Sequence, residues 1–292
     1  MRSSYGTNFS LTLFGESHGP AVGFVLDGLP AGIELDLQNI RDALTRRRPA
    51  GKISTQRQEA DEFRFLSGFY KGRTCGTPLT FVIENTAQRS EDYDEMQFLP
   101  RPSHADYAAF AKYGGYQDPR GGGHFSGRVT AGLVAAGAIF QQILSEHGVT
   151  LGTHVKSCQD IADRDFAWDR LGEDLASLLS PGFPVLDETA RRRMLLAVVG
   201  LLAPYTGVTL PLNRLTAFAA AVLGLPAGIG EPFFHSVESE ISHLLFSIPA
   251  VKGVAFGLGF GFAHGAGSQL NDSFAALAPG RAVTRTNHNG GV

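Results

Sequence analysis

Asp118-Pro119-Arg120-Gly121-Gly122-Gly123-His124-Phe125-Ser126-Gly127-Arg128, running on into Val129 to Glu146, joins a polar glycine loop to the longest amphipathic segment of the chain. From Val129 the apolar residues Val129, Leu133, Ala136, Phe140 and Ile143 recur at the spacing of one helical face, so this segment reads as a helix packed on a core. His147-Gly148 is its expected end, with the glycine able to take the left-handed C-cap conformation. The helix therefore starts in or just after the triple glycine. Three glycines let backbone amides approach a ligand, and a helix start adds unpaired N–H groups with a partial positive charge. Gly-Gly-Gly is also common as plain loop. Arg120, His124, Ser126 and Arg128 in the same stretch favour an anion site, with phosphate as the expected ligand.

The 292 residues allow one large or two ordinary domains, and 43% hydrophobic with 18% charged residues marks a globular chain. A net charge of -3 offers no basic excess for nucleic acid, so anion binding must come from local arginines. Cys75 and Cys158 are too few for a disulfide scaffold, which points to a reducing cytoplasm. The first residues lack an apolar signal core, and no uncharged apolar run makes a convincing membrane span.

Working outward to the N-terminus, Phe9, Leu11 and Leu13 alternate with polar residues and Val22, Phe24 and Leu26 do so again, predicting two strands around a tight loop, Gly15-Glu16-Ser17-His18-Gly19. A turn at Leu29 to Ile33 leads into a helix carrying Leu37, Ile40 and Leu44, closed by Arg46-Arg47-Arg48-Pro49. Consecutive arginines there point about 100° apart, so one or two at most face a common pocket. Phe63 to Leu66 and Leu79 to Ile83 are further strands, and Asn85 to Gln97 reads as a polar loop. Arg101 to Tyr107 opens a short helix through Ala111 with Ser103 as its N-cap and His104 in its first turn.

Val25-Leu26 before Leu29-Pro30-Ala31-Gly32-Ile33 is echoed by Val222-Leu223 before Leu225-Pro226-Ala227-Gly228-Ile229, each followed by a helix, the second carrying Val237, Ile241 and Leu244. A strand–turn–helix unit used twice predicts pseudo-symmetric halves. Val254, Phe256, Leu258, Phe260 and Phe262 alternate with glycines, predicting a last strand with one bulky and one bare face.

These blocks, with Thr55-Gln56-Arg57-Gln58-Glu59, Ser247 to Gly253 and Thr286-Asn287-His288-Asn289-Gly290-Gly291, resemble chorismate synthase over nearly the whole chain. The resemblance implies an α+β fold, a β-α-β sandwich with internal pseudo-symmetric strand–helix repeats, over a single domain of residues 1–292. It implies a cytoplasmic lyase that removes phosphate from 5-enolpyruvylshikimate 3-phosphate by anti-1,4-elimination to give chorismate, in the shikimate pathway to the aromatic amino acids. Reduced FMN is the implied cofactor, its reductant, NADPH or another, being left open by the sequence. A homotetramer is implied as the assembly, with no nucleic acid and no membrane as partner. By similarity His18 with Ser17 acts on the departing phosphate and His104 acts on the flavin. Arg47 and Arg128 match substrate-binding positions, Lys52 stands in for a further one where this chain appears one residue shorter, and Ser126 matches a substrate-facing position. His124, Phe125 and Ser126 match the flavin-contacting triplet, and Pro249 and Ala250 a flavin contact on the Ile-Pro-Ala turn. No metal is implied. Histidine suits both acid–base roles because its ordinary pKa lies near ~6.5.

Two stretches depart from the family. Residues 194–221 lack its Gly-Asp-Ser-Val-Gly-Gly turn and are apolar and proline-interrupted, like a replaced or shifted reading of the gene, and would expose an apolar patch if they do not fold back into the sheet. The chain also stops at Val292, before a glycine-rich turn, a Lys-Pro-Thr segment and an acidic residue that the family carries. A C-terminally incomplete domain that binds flavin or phosphate without turnover is the alternative expectation. A generic phosphate-binding module would account for the glycine loop and for none of the other blocks.

Overall fold

The computed structural model describes residues 3–48, 59–86, 100–101, 104–179, 182–202, 216–231, 234–278 and 281–290. The fold is α+β and divides into two compact units, Met1–Glu146 with Val198–Gly207, and His147–Ala197 with Val208–Val292.

The first unit is built on one antiparallel sheet. Its elements are β1 (Ser4–Tyr5), β2 (Ser10–Gly15), β3 (Ala21–Asp27), α1 (Leu37–Arg47), β4 (Phe63–Ser67), β5 (Phe69–Tyr70), β6 (Arg73–Thr74), β7 (Leu79–Glu84), α2 (Asp106–Tyr113) and α3 (Thr130–Glu146). The sheet order is β1-β2-β3-β7-β4, with β5 and β6 as a separate small hairpin. Strict alternation puts Val22, Phe24 and Leu26 opposite Ile83, Phe81 and Leu79 on one face, and all six side chains are fully buried. Phe24 and Phe81 stack with centroids 4.9 Å apart. Ile40, Ala43 and Leu44 of α1 close the core together with α3. Asp36 caps α1 by accepting from the backbone N–H groups of Gln38 and Asn39.

Helix α3 occupies the predicted segment, but its most buried face is the small-residue line Ala131, Ala135, Ala138 and Ile139. The predicted larger residues Leu133, Phe140 and Ile143 flank that line and are partly buried, while Val129 and Ala136 are buried. Small residues let the helix approach the sheet closely: a Cβ on Gly132 would lie 2.8 Å from the carbonyl oxygen of Gly23. The apolar stretch Gly127–Glu146 is long enough to cross a membrane by composition, and here it is a core helix on β3 and α1.

The second unit contains β8 (Thr150–Cys158), β9 (Ile161–Ala162), α4 (Leu171–Ser177), α5 (Glu188–Leu202, continuing past the unit boundary), β10 (Thr216–Leu223), α6 (Val237–Ser247), α7 (Gly267–Leu270), β11 (Phe274–Ala278) and β12 (Arg281–Thr284). One sheet has the order β10-β8-β9, and β11 pairs with β12. The atypical stretch thus begins inside α5 and ends in β10, its middle lying outside the described residues. At the centre of this unit the buried His154 and Asp163 share a hydrogen bond of 2.7 Å between Nδ1 and Oδ2. Asp163 also accepts from the backbone N–H groups of Leu186 and Asp187.

The sequence echo is a structural one. Gly28 and Gly224, each just past a strand, have φ of 93° and 89°, and Gly32 and Gly228 have 92° and 88°. A Cβ on Gly28 or Gly224 would sit 2.3 Å from a carbonyl oxygen, of Asn8 and Gly148 respectively, so both turns exclude a side chain for the same reason. Asp36 and Ser236 then cap the two following helices.

Two expectations are corrected. The strand predicted over 254–262 is a turn followed by a 3-10 helix, Gly259–His264, because Gly257 and Gly259 take φ of 53° and 51°, which breaks an extended run. Helix α2 starts at Asp106 after an N-cap at Ala105 that makes no side-chain bond, so His104 precedes the helix. Ser103 and residues 87–97 of the polar loop lie outside the described residues.

Candidate active site

The glycine loop turns because Gly121, Gly122 and Gly123 all have positive φ, of 58°, 85° and 53°. Side chains are excluded there as well. A Cβ on Gly121 would meet His18 Cε1 at 2.4 Å and Ser17 Oγ at 3.0 Å, and one on Gly123 would meet the Asp118 carbonyl oxygen at 2.3 Å. The loop is therefore seated directly on the 16–19 hairpin, and Ser17 N–H donates to the Gly123 carbonyl at 3.0 Å. Ser17 and His18 are both buried.

After the loop, Ser126 ends the extended backbone and its hydroxyl accepts the Arg128 N–H at 3.3 Å, capping the 3-10 turn Gly127–Val129 that leads into α3. The helix start thus falls just after the glycines. A cavity of about 230 Å³ is lined by Gly121, Gly122, Phe125, Ser126 and Gly127 on one side and Arg101, His104 and Asp106 on the other. A larger one of about 740 Å³ shares Arg101, Gly122 and Phe125 and adds Leu13, Phe14, Tyr107, Phe110, Tyr113, Gln117 and His124.

Arg101 lines both spaces, whereas Arg47, Arg120 and Arg128 are not among the residues lining either. Arg120 is bidentate to Asp118, at 2.9 and 2.7 Å, and that hydrogen bonding holds the Asp118 carboxyl below its usual pKa. This pair ties Arg120 to the loop's own backbone turn. Arg128 is buried and donates from Nε to Asn85 Oδ1 at 2.9 Å, and its Nη1 pairs with Asp61. Arg47, at the end of α1, donates from Nη2 to the Gly127 carbonyl at 3.0 Å and reaches Asp61 Oδ2 at 3.5 Å. Its place beside Gly127 brings it to the same segment as the loop.

His124 ties the site to the N-terminus: its Nδ1 lies 2.8 Å from the Gly15 carbonyl and its Nε2 3.0 Å from Ser3 Oγ. The carbonyl accepts only, so Nδ1 carries a proton and donates it there. Arg101 grips Asp106 through Nε and Nη2 at 2.8 and 2.9 Å, and this contact brings the Asp106 pKa down to about 2.

His18, Ser17, His104, Ser126, Phe125, His124, Arg47 and Arg128 are therefore gathered around residues 121–128. Lys52 lies outside the described residues. Pro249 and Ala250 belong to the second unit, on the turn after α6, where Ala250 takes φ of 70°. Sequence reading missed Asp61, Asn85 and the pocket-lining Arg101. Asp61 follows the quoted Glu59 by two residues, while Asn85 belongs to no motif and joins the site only through strand β7.

The sequence profile of the chorismate synthase family matches residues 9–292. A chorismate synthase of Thermococcus kodakarensis is 40% identical over 98% of this chain and 77% of its own length. One from Chloroflexus aggregans is 40% identical over 99% of this chain and 76% of its own. A crystal structure of a chorismate synthase superposes with a TM-score of 0.76 at 25% identity, covering 97% of this chain and 78% of the other. Since the profile and the relatives both span nearly all the residues that build the site, the chain belongs to the chorismate synthase family.

Proposed function

We propose that this chain is a lyase that eliminates phosphate from 5-enolpyruvylshikimate 3-phosphate to give chorismate, using reduced FMN. The observation that carries this reading is the seating of His18 and Ser17 against Gly121, on the same loop that lines the cavity with His104. In a 1,4-elimination the C–O bond to phosphate breaks, a C–H hydrogen leaves, and the electrons form a new double bond. The developing charge on the phosphate must be met by fixed donors in a dry pocket. His18, buried beside Ser17, donates a proton or hydrogen bond to the departing oxygen. Arg47 and Arg128 supply positive charge next to the loop, and Ser126 orients the substrate. Lys52 is the further substrate-binding position assigned by similarity.

The residues present fit a flavin. The larger cavity combines a flat aromatic and apolar lining, from Phe14, Tyr107, Phe110, Tyr113 and Phe125, with polar groups on Arg101 and Gln117. His124 and Phe125 line it from the loop side, and with Ser126 they form the triplet matched to flavin contacts by similarity. Reduced FMN, when bound, supplies the electron donation and hydrogen removal that no side chain offers. His104 lines the smaller, adjoining cavity from the segment before α2 and manages a proton there. Two free cysteines accord with a cytoplasmic setting.

An anaerobic assay with reduced FMN and the enolpyruvyl substrate, following chorismate absorbance, tests the reading. Wild type is expected to turn over, and His18→Ala and His104→Ala each to lose about 10²-fold or more in kcat. Full activity in both variants would refute the assigned roles.

A further inference from the structure

Two arginines of the site converge on one carboxylate. Asp61 Oδ1 pairs with Arg128 Nη1 and Asp61 Oδ2 lies 3.5 Å from Arg47 Nη1, and the Asp61 side chain is only 1% exposed. The same guanidinium of Arg128 holds Asn85, whose Nδ2 donates to the carbonyls of Glu16 at 3.0 Å and Gly19 at 2.8 Å. Arg47 in turn fixes the Gly127 carbonyl. One carboxylate thus stands at the junction of three parts: the hairpin that carries Ser17 and His18, the end of α1, and the segment that follows the glycine loop.

Resting on the function proposed above, we propose that Asp61 is a positioning residue for the elimination. Its single negative charge keeps two neighbouring guanidiniums from repelling each other and holds both in one geometry. The cluster of two arginines and one aspartate retains a net positive charge for an anion. Arg128 Nη2 is buried with no hydrogen-bond partner among the described residues, so its donor capacity is not exhausted by Asp61 and Asn85. The backbone at Asp61 also marks the place as specified: its φ is 52°, a left-handed conformation that aspartate and asparagine tolerate better than other side chains. Asparagine is therefore the substitution that keeps the backbone and removes the charge.

The test compares wild type, Asp61→Asn and the doubly neutralised Asp61→Asn/Arg128→Gln in the full chain. Phenylglyoxal labelling of arginines, mapped by peptide mass, reads whether Arg47 is held. Labelling of Arg47 is expected to rise severalfold in Asp61→Asn, while Arg164, paired with Asp174 elsewhere in the chain, keeps its wild-type value. In turnover, kcat/KM is expected to fall about tenfold to a hundredfold, with KM raised as well as kcat lowered, as loss of orientation requires. Unchanged Arg47 labelling, or unchanged kcat/KM in an active enzyme, overturns the proposal. If Asp61→Asn unfolds, shown by labelling of Arg164 too, the double variant leaves no unpaired Arg128 charge, and its Arg47 labelling decides by the same criterion. Failure of wild type to make chorismate counts against the reaction, and the labelling still decides whether Asp61 fixes the arginines.

Discussion

Gly121 shows how one backbone position couples fold to chemistry. Its φ of 58° is costly for a residue with a side chain, and an added methyl would overlap the His18 ring at 2.4 Å. His18 cannot retreat easily, because it is buried on a hairpin whose carbonyls are held by Asn85. Gly121→Ala is therefore expected to cost about 1–3 kcal/mol in stability and to lower activity more than that loss of folded protein explains. Urea unfolding and kcat measured on the folded fraction check this. Gly127→Ala is the control: a Cβ there meets nothing within 4 Å, and its effect on both quantities should be small.

At the scale of elements, α2 is the part of the site held mainly by charge. Asp106 accepts from the Arg101 backbone N–H at 3.0 Å as well as from its guanidinium, so the first turn of α2 is tied to the segment entering it. Because the contact lowers the folded pKa to about 2, it contributes stability above pH ~4 and loses it as pH falls through about 2. Asp106→Asn should cost about 1–2 kcal/mol at pH 7, after allowance for partial solvent screening, and only a small fraction of that near pH 2. Denaturant titrations of both proteins from pH 7 down to 2 give the difference. This anchoring is not legible in the sequence, whose pattern puts His104 inside the helix and offers Ser103 as its cap. Strands β2, β3, β4 and β7 and helix α1 were legible, because a sheet with one covered face writes its alternation into the chain and a helix on a core writes its stripe. The run from Val254 to Phe262 has the same alternation and is no strand, since two of its glycines adopt a conformation that period alone does not reveal. The site divides in the same way: His18, His104 and the glycine loop stand in quotable motifs, whereas Asp61 and Asn85 become partners of Arg128 only when β4 and β7 pair in the sheet.

For the whole molecule, the two units differ in how well they cover their apolar residues. The sheet of the first unit buries Phe24, Phe81, Leu26, Leu79 and Ile83 completely. In the second, Phe218 and Leu223 on β10, Phe246 on α6 and Phe260 on the 3-10 turn are all exposed, Phe260 by 93%. Single exposed apolar residues need no explanation, but such a concentration in one unit is unusual for a chain that stays monomeric in water. Burying about 100 Å² of apolar surface is worth roughly 2.5 kcal/mol, so covering a few of these aromatic side chains would offset much of the entropy lost on association. Light scattering after gel filtration is therefore expected to give a multiple of the 31.2 kDa chain mass, four-fold for the tetramer implied by the family resemblance. Phe218→Glu and Phe246→Glu should shift it toward the single-chain value, because a charge on each apolar position would have to be desolvated in any contact. A monodisperse 31.2 kDa species from wild type would show that these residues remain in water.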